Sequence, residues 1–116
     1  MKYIIDFITK SVTNKLTPFE KIKMIIRLVR QNRVLILESG LTPEEEAELI
    51  KQTMMVIDFD NFIGVEFFNW NRVDKNKRFF KKSPLGTDSR YTVVAPSSAV
   101  QVIEDSSDLL SIELSS

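Results

Sequence analysis

The sequence predicts an α/β fold: a single compact domain with a mixed, mostly parallel sheet of about five strands and three helices, in the order β-α-β-α-β-β-α-β. Three observations carry this expectation. Two helix starts share one motif, Thr17-Pro18-Phe19-Glu20 and Thr42-Pro43-Glu44-Glu45. The uninterrupted apolar run Val34-Leu35-Ile36-Leu37 lies between them, as expected of a central parallel strand buried on both faces. Beyond the second helix the chain returns to strand-like alternation.

The elements follow in order. Lys2 to Ile8 has β-branched and aromatic residues on both sides of the pleat and only Asp6 charged in its interior, which predicts a strand covered on both faces. In each cap motif Thr accepts from an early backbone N–H, Pro takes the first helical position where its missing donor costs nothing, and Glu reaches back to the cap. The first helix should run to about Gln31, with Phe19, Ile22, Ile25, Ile26 and Val29 on one side and Lys21, Lys23, Arg27 and Arg30 elsewhere. The second should run to about Ile57 and bury Ala47, Ile50, Met54 and Ile57.

Phe62 to Trp70 predicts a third strand, with Ile63, Val65 and Phe67 lining one face while Gly64 and Glu66 interrupt the other. Arg90 to Ala95 gives a fourth strand, stopped by Pro96. The direct link between these two allows an antiparallel pair. Ala99 to Ile103 reads as a short helix, and Leu110, Ile112 and Leu114 alternate as a last strand. Residues 71–89 are polar and basic, a flexible insertion in a domain that spans 1–116.

Composition closes off much chemistry. The 116 residues include no histidine and no cysteine. Imidazole bases, thiolate nucleophiles and the usual zinc, haem and iron–sulfur ligands are therefore excluded, and no disulfide can form. A 43% hydrophobic chain of this length can bury a core without one. The N-terminal apolar run is too short to span a bilayer and is broken by Asp6. The expectation is a soluble, unexported, cytoplasmic protein that does not engage a membrane.

Zero net charge conceals segregation. Residues 1–37 hold eight basic residues against two acidic, and residues 38–66 hold one against eight. Residues 67–82 hold six against Asp74 alone, and residues 97–116 hold four acids and no base. The third block is the one expected to persist as a patch, because the others can pair across folded segments.

A phosphate cradle would be expected at Glu38-Ser39-Gly40-Leu41-Thr42-Pro43, beyond the carboxyl end of a parallel strand. Neither glycine-rich phosphate motif is present, and Glu44, Glu45 and Glu46 at the next helix start would repel an anion. Glu38, Asp58, Asp60 and Glu66 could converge on a metal. The plainer expectation is that Asp58, Asp60 and Asn61 form a turn, since Phe62 and the absence of a closing glutamate break the calcium-loop pattern. The most suggestive stretch is Asn69 to Lys82. Arg72, Lys75, Lys77, Arg78, Lys81 and Lys82 could neutralise phosphates while Trp70, Phe79 and Phe80 stack on unpaired bases. A lysine-rich solvated loop, or a surface for an acidic protein, has the same composition.

The run from Val34 to Ile50, with Thr53-Met54, Ile57-Asp58, Phe62-Ile63-Gly64-Val65-Glu66 and Tyr91 to Pro96, resembles a family of small uncharacterised archaeal proteins whose domain is of unknown function. The resemblance covers most of the chain and is weakest over residues 69–89. It implies an archaeal cytoplasmic origin and, through genes beside an Era-like GTPase, a GTPase- or ribosome-linked partner. It carries over no activity or catalytic residue.

The reading that follows is a non-enzymatic binding or accessory module acting on a protein partner, with no catalytic, cofactor or metal residues. The alternative is RNA binding through residues 69–82. A carboxylate-based or metal-assisted enzyme ranks third, because no spacing points to one. A homodimer through an edge strand is expected at the alternating segment Leu109 to Leu114.

Overall fold

The computed structural model describes residues 2–58, 60–72, 89–97, 99–105 and 109–115. Along the chain lie β1 (Ile4–Ile8), α1 (Lys10–Thr13), α2 (Pro18–Val29), β2 (Arg33–Leu37), α3 (Pro43–Met55), β3 (Val65–Arg72), β4 (Ser89–Pro96), β5 (Val100–Asp105) and β6 (Leu110–Leu114). The main sheet has four strands in the order β1-β2-β4-β3, and β5 and β6 form a separate two-stranded sheet.

The α/β class and the mixed sheet hold, whereas the mostly parallel, five-stranded expectation does not. Only β1 and β2 are parallel, while β4 runs antiparallel to both β2 and β3. The helices between β1 and β2 supply the crossover that a parallel pair needs. The segment expected as a helix at Ala99 to Ile103 is instead β5, because Val100 and Val102 alternate with Gln101 and pair with Leu114 and Ile112 of β6. The last strand thus completes this hairpin and does not join the main sheet. The four-residue helix α1 was not signalled by any cap motif.

Both cap motifs form complete capping boxes. Thr17 Oγ1 accepts from Glu20 N at 3.1 Å while Glu20 Oε1 accepts from Thr17 N at 2.9 Å. Thr42 and Glu45 repeat the arrangement at the same distances. The helices end slightly earlier than the periodicity suggests, at Val29 and Met55.

Two clusters make the core. On one face of the sheet Ile22, Ile25, Ile26 and Val29 of α2 pack with Ile8, Leu35, Leu37, Leu41, Leu49, Phe62 and Val94. On the other, Val34, Val93 and Ala95 are covered by Val100, Leu110, Ile112 and Leu114 of the hairpin, with Tyr3 and Ile36 beside them. Phe19 is not part of the buried side of α2. It is half-exposed, with Lys23 Nζ 4.6 Å above its ring. Strand β1 also departs from expectation: it is an edge of the sheet, and Ile4, Ile5 and Phe7 are about half-exposed.

Helix α3 turns a different face inward from the one its periodicity predicts. Its buried residues are Leu49 and Thr53, while Ile50 and Met54 of the expected inner stripe face outward. Polar partners set this orientation. Buried Lys21 of α2 donates from Nζ to Gly40 O at 2.9 Å and to Glu45 Oε1 at 3.3 Å. Thr53 Oγ1 is buried with no hydrogen bond, so apolar character alone did not choose the inner face.

Thr17→Ala and Thr42→Ala should each lower unfolding stability by about 1 kcal/mol in denaturant titrations. The backbone N–H and then the hydroxyl of Thr17 hold the Glu20 carboxyl below its ordinary value of 4.5. A depressed folded-state value means that this contribution is present above the unfolded value and is lost as pH falls through the folded one. The stability gap between the native chain and Glu20→Gln should accordingly shrink on acidification below 4.5, as thermal melts across that range would report.

Candidate nucleic-acid interface

Strands β3 and β4 alternate their side chains between two environments. Toward the helices stand Asn69, Arg90 and Thr92, and toward the opposite face stand Phe68, Trp70, Tyr91 and Val93. The register places Asn69 opposite Thr92 and Trp70 opposite Tyr91.

On the helix side these residues are held by one carboxylate. Glu46 Oε1 of α3 accepts from Asn69 Nδ2 at 2.9 Å and from Arg90 Nη2 at 3.2 Å. Thr92 Oγ1, fully buried, donates to Asn69 Oδ1 at 2.6 Å. Gly40 closes over the same group at φ +70°, where an added Cβ would lie 3.1 Å from Thr92 Oγ1 and 3.2 Å from Arg90 Cγ. Glycine is required there both for the left-handed backbone and for the close approach. The turn considered for phosphate is thus a structural joint, its Gly40 carbonyl taken by Lys21 and its Ser39 hydroxyl 3.3 Å from that of Thr13.

On the opposite side, the same strand ends present an aromatic row. The rings of Trp70 and Tyr91 lie 5.6 Å apart with 30° between their planes, and Phe7 of β1 lies 6.3 Å from Tyr91 at 51°. These spacings are those of interacting aromatic pairs. Phe7 is 55% exposed, and Tyr91 and Trp70 are half-buried. The hairpin's apolar cluster is centred on Val34, Val93 and Ala95, and the row lies outside it.

Of the residues singled out in the sequence, Trp70 belongs to this row. Arg72 ends β3 in register with Ser89 at the start of β4. Lys75, Lys77, Arg78, Phe79, Phe80, Lys81 and Lys82 lie outside the described residues. Because Arg72 and Ser89 are paired, the basic segment leaves and re-enters the sheet at one point, two residues from the Trp70–Tyr91 pair. Phe7 and Tyr91 were not singled out. The available signal was the alternation of each strand, but placing Phe7 beside Tyr91 requires the strand order, which pattern does not give.

The carboxylates proposed for a metal do not gather. Among the described residues there is no group of three or more acidic side chains able to hold one. Asp58 instead forms the turn expected of it, accepting from Asp60 N at 3.1 Å and from Asn61 Nδ2 at 2.9 Å. The Asn61 amide, then the Asp60 N–H, hold the Asp58 carboxyl below its usual range. No helix among the described residues is long and apolar enough to cross a membrane.

Replacing Glu46 by Ala would leave Asn69 Nδ2 and Arg90 Nη2 without their shared acceptor. A stability loss of about 1 to 3 kcal/mol is expected from denaturant unfolding. Glu46→Gln should retain part of it.

No curated protein and no solved structure matches the chain. Residues 13–115 match the family model described as Origin-associated protein OapB, and the chain belongs to that family.

Proposed function

We propose that this member of the origin-associated protein OapB family is a non-enzymatic accessory module that binds single-stranded nucleic acid. Unpaired bases stack on Phe7, Tyr91 and Trp70, and the basic residues from Arg72 to Lys82 neutralise the adjoining phosphates. The observation that carries this reading is the position of the aromatic row, on the sheet face away from the helices and beside the point where the basic segment departs. Aromatic platforms on a sheet with a cationic border bind single strands with little demand on sequence, because every base offers a π-face.

The family description names an association with an origin and no ligand or activity. The archaeal cytoplasm implied by the resemblance is the setting we adopt for it. A protein partner, including a GTPase- or ribosome-linked one, would be favoured over nucleic acid if its charge were acidic and stacking played no part.

Binding of labelled single-stranded RNA and DNA should weaken steeply with salt, with a log–log slope of about −0.7 per phosphate contact. Trp70 is the single tryptophan, so stacking should quench the chain's indole emission directly. Trp70→Ala and Phe7→Ala should each lose about 1 to 3 kcal/mol of affinity. Neutralising Arg72, Lys75, Lys77, Arg78, Lys81 and Lys82 together should abolish binding without unfolding the domain. Absence of binding to either nucleic acid at low salt, with unchanged emission, would remove this reading and leave the protein-partner one.

A further inference from the structure

Helix α3 turns an apolar stripe away from the core. Ala47, Ile50 and Met54 are exposed, Ile50 by 48% and Met54 by 70%, and Ile57 continues the line just past the helix end. Their spacing of three, four and three residues is that of a helix-pairing seam. The polar contacts locate this flank in the fold. Glu45 meets Lys21 of α2, and Glu46 on the next position round the helix meets Asn69 of β3. The stripe therefore lies on the flank away from α2, on the side of β3. Strand β3 is itself an edge of the main sheet, and among the described residues no strand pairs with its outer side.

We propose that a second copy of this chain covers this face. The two copies are related by a two-fold axis perpendicular to the sheet, with α3 packed antiparallel on α3 and the outer edges of the two β3 strands paired. This arrangement is isologous, as a closed dimer requires. It also satisfies both exposed features together, since an axis in that direction sets the two helices on one side of a continuous sheet.

Charge identifies the occupant as a copy of the same chain. An antiparallel register that seats Ala47 against the partner's Ile50, small against large, also brings Glu44 opposite the partner's Lys51. The two-fold axis repeats each contact. Glu44 and Lys51 are both exposed and flank the stripe seven residues apart, so the surface is complementary to itself in charge as well as in shape. Neither residue has an ion-pair partner within the chain among the described residues.

Sedimentation or light scattering of the full chain over a range of concentrations tests the proposal. The expected result is a dimer that dissociates on dilution. Ile50→Glu should give a monomer at every concentration with an unchanged circular dichroism spectrum, because that side chain lies outside the core. Glu44→Lys and Lys51→Glu should each weaken the dimer by about tenfold or more, since symmetry creates two like-charge contacts in either case. The double variant should restore association toward that of the native chain. A native chain that stays monomeric when concentrated, a dimer indifferent to Ile50→Glu, or a double variant no better than the single ones would each overturn the proposal.

Discussion

The orientation of both helices turns on the ammonium group of Lys21. A cation withdrawn from water must be paired and hydrogen-bonded. Lys21 meets that demand with the Gly40 carbonyl and the Glu45 carboxylate. Glu45 is at the same time the back-reaching residue of the α3 capping box, and Gly40 belongs to the turn that leaves β2. One buried charge thus joins α2, the turn and the start of α3. Rolling α3 to bury Ile50 and Met54 would gain at most roughly 1.5 to 3 kcal/mol for each, and less here because both are already partly covered. It would part Lys21 from Glu45 and leave the buried ammonium with the Gly40 carbonyl alone, at about 3 to 5 kcal/mol for a broken buried ion pair. It would also detach Glu46 from Asn69 and Arg90, charge-assisted bonds of about 1.5 to 3 kcal/mol each. The polar terms win, and the apolar stripe stays outside.

The same choice reaches through the sheet. With α3 fixed, Glu46 stands over Asn69 and Arg90, and Asn69 holds Thr92. Strand alternation then sends their neighbours Trp70 and Tyr91 to the far face, where they meet Phe7. A polar network on one side of the sheet and an aromatic row on the other are therefore two views of one register. The hydrogen bonds of the first hold the strands from which the second projects, which is what the proposed stacking platform would need if ordering it on binding is not to erode affinity.

Local chemistry was legible in the sequence, and long-range pairing was not. The two Thr-Pro-x-Glu starts formed as capping boxes because each is complete within four residues. The Val34–Leu37 run became the interior strand β2, and the turn at Asp58 formed from its own side chains. The α3 face was misread because hydrophobic periodicity weighs side chains one at a time. It cannot see that Glu45 and Glu46 have partners waiting on α2, β3 and β4. For β5, the five residues from Ala99 to Ile103 are too few to separate helix from strand by pattern alone, and only the pairing with β6 resolves them. Trp70 precedes a run of basic residues that marks it, while Phe7 and Tyr91 stand outside any such run.

The central position of β2 also bears on how the chain emerges from the ribosome. Its partner β1 is already made, but the opposite edge of Val34 to Leu37 is filled only by residues 92–94 of β4. Until those residues are synthesised, the most apolar segment of the protein has one row of backbone donors and acceptors unpaired, a template for unwanted strand addition. The stretch translated in that interval carries most of the acidic charge together with the lysine-rich segment. A nascent chain so heavily charged resists self-association, so these charges would protect the apolar strand during the time the chain is incomplete.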